Sequence, residues 1–413
     1  MALIAVFVPL VFLYSLVSRR LERTVITPPI AFTAAGILTF LMSKDFAELQ
    51  LDRKGLLLIA EVGLVMTLFT DATHIGLRVL KGNGNLPIRL LGIGMLPTIL
   101  LGAIGALVML RGLSLWEAGI LAAILAPTDA GLGQVIVTSP RVPMRIRQAL
   151  NVEAGLNDGL SVPFLMLFIA LALQSTRGAG AVLTRYLGEQ IGYGTLVGLG
   201  IGLIGGWLLG LAHRRGWMAA PWGQLGLVAL PLLCVIGSEA TDASMFIAAF
   251  VAGLAVQAGF KEAGTHSVEF TEEWGQLFDF FVFFLFGLFV ARAGMGFSPA
   301  LVLYAILSLT VVRMVPVALA LAGTGLCRTT VLFMGWFGPR GLASIVLGLV
   351  YLEEQANLPG ESTIRLAVMA TVLLSIFAHG LSALPGISLY AGRISSLDPG
   401  APEHQELGEK AAG

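Results

Sequence analysis

The feature that most constrains this chain is a succession of long apolar runs. Thirteen runs can be separated, most of them close to the ~20 residues that a helix needs to cross a bilayer. They fall approximately at residues 2–18, 24–43, 55–77, 87–110, 114–138, 146–173, 191–212, 224–239, 241–260, 273–291, 299–321, 329–351 and 363–389. The narrowest boundary is the polar stretch 238–244, and merging its neighbours would leave twelve. Only 12% of residues are charged, against roughly 25% in soluble domains, so the sequence predicts an all-α polytopic membrane protein.

The distribution of basic residues predicts how these segments are oriented. With the N-terminus outside, fifteen of the 25 Lys and Arg residues fall in inner loops and the tail, eight in outer loops, and Arg313 and Arg340 inside the membrane. Basic loops favour the cytoplasmic side. We therefore predict a multi-pass cell (inner or plasma) membrane protein with an outside N-terminus. Residues 1–393 would form one transmembrane unit and residues 394–413 a short cytoplasmic tail.

Net charge and cysteine content limit which partners and cofactors the chain can have. The charges of the 25 basic and 25 acidic residues cancel, so the chain has no net positive charge that would attract nucleic acid. The predicted partner is the lipid bilayer that surrounds the helices. Cys234 and Cys327 are far apart and belong to no cluster with metal-ligand spacing. No cofactor is predicted.

Two apolar segments contain residues that break a helix. Segment five carries Pro127, Thr128 and Asp129 near its middle, and segment twelve carries the run 338–341, Gly-Pro-Arg-Gly. Irregular backbone at membrane depth is tolerated where it lines a cavity or is packed in protein, and transporters use discontinuous helices to bind ions. The two segments are predicted to run in opposite directions. They therefore indicate inverted repeats with two crossed broken helices.

Segment six has the densest charge, with Glu153, Asn157 and Asp158 inside it. Asp158 lies eleven residues after Arg147, a rise of ~16 Å, which is about half of a ~30 Å hydrocarbon core. We expect Glu153 and Arg340 to form a structural ion pair. Asp129, Glu153 and Asp158 are three carboxylates near the midplane, and one arginine cannot neutralise all of them. Arg313, nearer the inner side, could neutralise one more. Asp158 is then free to exchange a cation for protons.

Three further polar residues are candidates for the lining of a cavity. Asp71 and His74 are three residues apart on one face of segment three, and Asp279 lies in the inner third of segment ten. Snorkelling, or packing against a neighbouring helix, explains these positions about equally well.

Three motifs in this order resemble the monovalent cation:proton antiporter-1 family, the electroneutral sodium/proton exchangers. They are APTDA at 126–130, NVEAGLNDG at 151–159 and GPRGLAS at 338–344, and the resemblance covers nearly all of the chain. It implies a homodimer in which a mobile core domain (approximately 87–173 and 299–389) moves against a dimerisation domain (approximately 1–77 and 191–291).

The resemblance also implies roles for individual residues. Asp158 would be the principal cation and proton ligand, Asp129 would contribute directly or through water, and Thr128 would offer its carbonyl oxygen to the alkali cation. Glu153 would be a further ligand or the partner of Arg340, and Asn157 would replace a second aspartate found in electrogenic relatives. Ala154 stands where many members have serine, which leaves the choice among Na⁺, Li⁺ and K⁺ open.

The predicted function is therefore a transporter, not an enzyme, that exchanges a monovalent cation for a proton. One alternative is an intramembrane aspartyl protease with Asp129 and Asp158 as its dyad. The chain lacks the GxGD signature expected around one of those aspartates. A channel or an organic-anion transporter is a third class. A selectivity filter of repeated carbonyl rings is not visible in the sequence, and the excess of midplane carboxylates argues against anions as the substrate.

Overall fold

In the computed structural model, the regular secondary structure of the described residues is entirely helical. These are residues 2–21, 24–42, 53–74, 85–177, 188–264, 269–353, 358–398 and 401–404, and no strand occurs among them. Within these residues, the helices group into thirteen stretches in the order of the thirteen predicted runs. The prediction of an all-α polytopic fold is confirmed.

The helix bounds are as follows. The first half contains α1 (Ala2–Leu21), α2 (Pro28–Met42), α3 (Arg53–His74), α4 (Met95–Met109), α5 (Leu115–Ile124), α6 (Ala130–Val137), α7 (Met144–Arg177) and α8 (Gly194–Arg214). The second half contains α9 (Ala220–Glu239), α10 (Met245–Val256), α11 (Glu269–Ala293), α12 (Pro299–Leu309), α13 (Val311–Ala320), α14 (Arg328–Trp336), α15 (Leu342–Glu353) and α16 (Glu361–Ile394). Short helical turns precede α4 (Asn85–Arg89 and Leu90–Gly94) and α8 (Gly188–Tyr193).

Length and composition separate the membrane segments into two groups. In the described residues, eight helical stretches are long and apolar enough to cross a membrane by themselves. Shorter apolar helices are Pro28–Met42, Leu115–Ile124, Met245–Val256 and Leu342–Leu352. Two of these, α5 and α15, are short because each is one half of a broken helix.

The narrow boundary at 238–244 separates two helices. α9 ends at Glu239, and Asp242 has a left-handed backbone, with φ of 51°. Ser244 then caps α10 by accepting a hydrogen bond from the backbone N–H of Ile247 at 3.4 Å. The chain is therefore not one continuous helix here. This confirms the prediction of thirteen segments and excludes the alternative of twelve.

Glycines at four-residue spacing bring α8 against α10. Gly194, Gly198, Gly202, Gly206 and Gly210 are all buried on one face of α8. A Cβ atom on Gly206 would collide with the carbonyl oxygen of Val256. Small residues of this kind let helix backbones approach closely in membranes.

Helix packing connects α7 to two sets of helices. α11 packs along α2 and α3, α3 packs along α10, and α7 contacts α3 and α10 of this set. α7 also packs against α5 and α6. The predicted division into a core domain and a dimerisation domain stays a prediction.

Part of the predicted tail is folded onto the helices. The side chain of Glu403 accepts hydrogen bonds from the backbone N–H of Cys327 at 2.7 Å and from the hydroxyl of Thr330 at 3.0 Å, at the start of α14. Arg145, at the start of α7, donates to the carbonyl of Pro402 at 2.6 Å. Burial alone would raise the pKa of Glu403, but these hydrogen bonds outweigh it and hold that pKa below its usual range. The tail therefore ties together the starts of α7 and α14; residues 405–413 lie outside the described part.

Candidate functional site

The site is built around the break in the fifth membrane segment. α5 ends at Ile124, and the backbone is non-helical until α6 begins at Ala130. Asp129 caps α6, because its Oδ1 accepts a hydrogen bond from the backbone N–H of Leu132 at 2.8 Å. The carboxylate therefore lies at the positive end of a half-helix dipole.

The same carboxylate caps the second broken helix. Its Oδ2 accepts a hydrogen bond from the backbone N–H of Leu342, the first residue of α15, at 2.5 Å. The backbone N–H of Asp129 also donates to the carbonyl of Pro339 at 2.8 Å. The two unwound segments thus cross at Asp129, and the predicted crossing of two broken helices is confirmed. Whether Asp129 also binds a cation stays a prediction.

Arg340 stabilises the opposite end of the crossing. Its buried guanidinium donates through Nη1 to the carbonyls of Ala126 at 2.8 Å and Pro127 at 2.9 Å, just beyond the C-terminal end of α5. A positive charge is favourable at a helix C-terminus. Its backbone N–H donates to the hydroxyl of Ser375 on α16 at 2.7 Å.

The predicted ion pair between Glu153 and Arg340 is wrong, because Glu153 pairs with Arg313. Both oxygens of Glu153 accept hydrogen bonds from Arg313, at 2.5 Å from Nη1 and 2.9 Å from Nη2, and both residues are buried. Arg313 reaches Glu153 past Gly338, where a Cβ atom would collide with its guanidinium. Arg340 instead donates through Nη1 to the carbonyls of Ala126 and Pro127, and no hydrogen bond joins it to Glu153 in the described residues.

Asn157 ties α7 to the break. Its Nδ2 donates to the hydroxyl of Thr128 at 2.7 Å, and its Oδ1 accepts from the backbone N–H of Thr128 at 3.1 Å. Thr128 and Glu153 line a small cavity of about 20 Å³. The predicted ligand roles of Thr128, Asn157 and Glu153 stay predictions, but Asn157 and Glu153 have structural bonds that the sequence did not indicate.

Asp158 faces a larger cavity of about 560 Å³. The residue is 6% exposed, and its Oδ1 has no hydrogen-bond partner in the described part of the chain. Asp71, Asp129 and Asp279 line the same cavity and interact electrostatically with Asp158. No three His, Cys, Asp or Glu side chains converge into a chelating cluster among the described residues. The four carboxylates therefore surround the cavity at separate places on its wall.

The three candidate cavity residues have different outcomes. Asp71 on α3 and Asp279 on α11 lie in the cavity wall, as expected for a lining role. His74 is the last residue of α3, and its side chain lies outside the described part.

Sequence reasoning missed a pair of polar residues on α16. His379 is buried, with Nε2 at 2.9 Å from the carbonyl of Trp336, the last residue of α14, and Nδ1 at 3.1 Å from the hydroxyl of Ser375. Ser375 in turn accepts from the backbone of Arg340. These side chains hold both ends of the second break. The sequence did contain a sign of this pair, because two polar residues four positions apart inside an apolar helix share one face.

Two discontinuous helices that cross beside buried carboxylates define the class. This is the arrangement of a secondary ion transporter, in which unwound backbone and half-helix ends surround a site inside the membrane. Residues 2–385 match the profile of the transmembrane sodium/hydrogen exchanger family, and the chain belongs to that family.

Curated relatives are distant and longer. The chain is 25% identical to Na(+)/H(+) antiporter 2 of Zygosaccharomyces rouxii over 311 residues, which cover 67% of this chain and 38% of that protein. It is 27% identical to the Na(+)/H(+) antiporter ApNhaP of Aphanothece halophytica over 367 residues, which cover 82% of this chain and 65% of that protein. The chain thus spans less than two thirds of either relative.

Two solved structures share the fold. The structure of the sodium proton antiporter MjNhaP1 from Methanocaldococcus jannaschii at pH 8 has a TM-score of 0.69 at 20% identity and covers 92% of this chain and 99% of its own. An electron-microscopy structure of MjNhaP1 gives 0.71 at 18% identity, covering 96% and 98%.

The Glu153–Arg313 pair generates a prediction about stability. Glu153→Gln and Arg313→Gln should each lower the free energy of unfolding by about 3–5 kcal/mol, because each leaves a buried charge uncompensated. The double variant should lose less than the sum, with a coupling of about 1–3 kcal/mol. Denaturation of the purified protein in detergent measures all three.

A second cycle identifies the partner. Glu153→Gln combined with Arg340→Gln should show much weaker coupling than the Arg313 cycle. Strong coupling to Arg340 and none to Arg313 would contradict the pairing found here.

Proposed function

We propose that this protein exchanges a monovalent cation for a proton across the cell membrane, with Na⁺ as the cation and Li⁺ and K⁺ as alternatives. The observation that carries the proposal is the carboxylate of Asp158, which is buried at the wall of a cavity with Oδ1 unpartnered in the described chain. A buried charge of this kind requires a compensating partner. A proton or a cation arriving through the cavity supplies one.

The proposed mechanism is competition at Asp158. The carboxylate holds either the cation or a proton, so one is released before the other binds, and this couples the two flows. The core domain (approximately 87–173 and 299–389) then moves against the other segments so that Asp158 faces each side of the membrane in turn. Membership of the exchanger family, and the names of the curated relatives, support this assignment.

The proposed ligands are hard oxygen atoms, which suit an alkali cation. Asp158 supplies the charge, and Thr128 supplies its carbonyl oxygen. Asp129 contributes through water, because its two carboxylate oxygens, although they accept backbone N–H groups of α6 and α15, have acceptor capacity left. Glu153 was predicted to be either a cation ligand or a member of an ion pair. We assign it the structural role, because both of its oxygens accept hydrogen bonds from Arg313.

Orientation and assembly complete the proposal. The N-terminus lies outside and the C-terminus in the cytoplasm, as the basic loops predict. The cavity then opens toward the cytoplasm, because residues at the start of α7 such as Met144 and Arg147 line it. The protein functions as a homodimer, in agreement with the predicted dimerisation domain.

The geometry disfavours the protease alternative. An aspartyl dyad needs two carboxylates that share a proton and activate water. Asp129 instead uses both oxygens to cap α6 and α15. Only Asp158 of the predicted dyad has an oxygen without a partner in the described residues.

Replacement of Asp158 tests the proposal. Asp158→Asn should abolish cation-driven proton movement in proteoliposomes while the protein stays folded, because the amide keeps the volume but can neither titrate nor carry a full charge. Asp242→Asn is the matched control: it removes an exposed aspartate, and asparagine tolerates the left-handed backbone there. Retained exchange in Asp158→Asn would refute the assignment.

Exchange should also be electroneutral. Glu153 is neutralised by Arg313 and Asn157 cannot titrate, so Asp158 is the carboxylate that cycles and one monovalent cation replaces one proton. Each uncompensated charge would couple about 2.3 kcal/mol per 100 mV. Na⁺/H⁺ exchange in proteoliposomes should therefore be indifferent to a potassium diffusion potential set with valinomycin, once K⁺ is shown not to be transported. A rate that follows the imposed potential would show that a second group titrates.

A further inference from the structure

The break in the second discontinuous helix is spanned by side chains of α16, a helix that supplies no proposed ligand. α14 ends at Trp336 and α15 begins at Leu342, so residues 337–341 between them are not helical. Ser375 and His379 are one turn apart on α16 and are 0% and 1% exposed. In the described chain, no residue of α16 lines either cavity. These two polar side chains are therefore buried for a reason other than direct contact with an ion in a cavity.

The partners of His379 determine where its imidazole ring carries hydrogen. The carbonyl oxygen of Trp336 lies 2.9 Å from Nε2, and a carbonyl can only accept, so Nε2 is the donor. Nδ1 lies 3.1 Å from the hydroxyl of Ser375. That hydroxyl accepts from the backbone N–H of Arg340 at 2.7 Å and still has its own hydrogen to donate. Nδ1 is the acceptor placed to receive it.

The surroundings of His379 favour an uncharged ring. The carbonyl of Ser375 also lies 3.0 Å from Nδ1 and would accept a hydrogen bond from a doubly protonated imidazole. However, the buried ring interacts electrostatically with two guanidinium groups, those of Arg340 and Arg313. A third buried positive charge would require a compensating anion. Both oxygens of Glu153 already accept from Arg313, so the neutral ring is the form that this environment stabilises.

The resulting hydrogen bonds form a chain with one direction across the break. The backbone N–H of Arg340 donates to Ser375, the hydroxyl of Ser375 donates to His379, and His379 donates to the carbonyl of Trp336. An unwound segment inside a bilayer leaves backbone groups that lipid cannot satisfy. The chain satisfies one such group in the unwound segment and one at the end of α14. It therefore fixes both to the same turn of α16.

Arg340 connects this chain to the proposed cation site. Its guanidinium donates to the carbonyls of Ala126 at 2.8 Å and Pro127 at 2.9 Å. These residues directly precede Thr128, whose carbonyl oxygen is a proposed ligand. Because Ser375 holds the backbone of Arg340, a displacement of that backbone would also move the guanidinium and the carbonyls it binds.

We infer that His379, as a neutral imidazole with its hydrogen on Nε2, is a positioning residue for cation exchange. Through Ser375 it fixes the backbone of Arg340, and through Arg340 it places the carbonyl of Thr128. The inference rests on the proposed function. His379 itself contacts no cation, so its loss should weaken cation binding while Asp158 continues to exchange a cation for a proton.

Replacement of His379 tests this role through KM and maximal rate. His379→Leu removes both ring nitrogens and should raise the apparent KM for Na⁺ in proteoliposomes by about three- to tenfold, with exchange retained at saturating Na⁺. His379→Gln should return the KM to within about twofold of the unaltered value, because a neutral amide also donates at one atom and accepts at another. An unchanged KM in His379→Leu, or no recovery in His379→Gln, would overturn the inference.

Thr371→Val is the matched control on the same face of α16. The hydroxyl of Thr371 is buried and donates to the carbonyl of Ala367 in its own helix at 2.7 Å. Its removal should leave the KM for Na⁺ unchanged. A rise equal to that of His379→Leu would show a general loosening of α16 and would overturn the inference.

Ser375→Ala interrupts the chain at its other member and decides the question if His379→Leu does not fold. It should raise the KM for Na⁺ in the same way, and the double variant should show less than the product of the two single effects, because both changes break one chain. An unchanged KM in Ser375→Ala would contradict the inference.

Amide hydrogen exchange separates this inference from the proposed function. Peptides that cover residues 337–341 should exchange faster in His379→Leu than in the unaltered protein, and His379→Gln should restore their protection. Faster amide exchange with an unchanged KM would refute the positioning role alone. Absence of Na⁺/H⁺ exchange from the unaltered protein would refute the proposed function, and with it any role of His379 in exchange.

Discussion

The whole site depends on how two unwound segments satisfy their backbone inside a bilayer. A broken helix exposes N–H and C=O groups that lipid cannot hydrogen-bond, at a cost of several kcal/mol each. Asp129 satisfies the amide ends of both α6 and α15, and Arg340 satisfies the carbonyls that follow α5. The two side chains also place a negative charge at positive helix ends and a positive charge beyond a negative one. The crossing is thereby held by side chains from both repeats.

The remaining buried charges follow from that arrangement. Arg340 donates to backbone carbonyls at the crossing, and the charge of Glu153 is balanced by Arg313, which binds both of its oxygens. Asn157, by bonding to Thr128 through both ends of its amide, fixes α7 against the break. Asp158 is the next residue and faces the cavity instead. In the proposed mechanism this is what leaves one carboxylate to alternate between a cation and a proton.

Much of the fold was accessible from the sequence, for identifiable reasons. Apolar length gave the thirteen segments, and Pro127 and Pro339 marked the two breaks, since proline removes a helix hydrogen bond wherever it falls. The partner of Glu153 was not accessible. That choice depends on the space left by Gly338 and on where the separate helix α13 places Arg313, neither of which is encoded in local spacing. The double role of Asp129 as a cap for two helices likewise required the crossing itself.

The central claim is that one carboxylate, Asp158, binds the cation and the proton in turn. The most direct test is the apparent KM for Na⁺ in proteoliposomes, measured at a series of pH values on the side to which the cavity opens. If the two ions compete for Asp158, the KM should rise as the pH falls, approaching about tenfold per pH unit once the carboxylate is mostly protonated. A KM that stays constant across that range while the maximal rate changes would show separate cation and proton sites and would contradict the account.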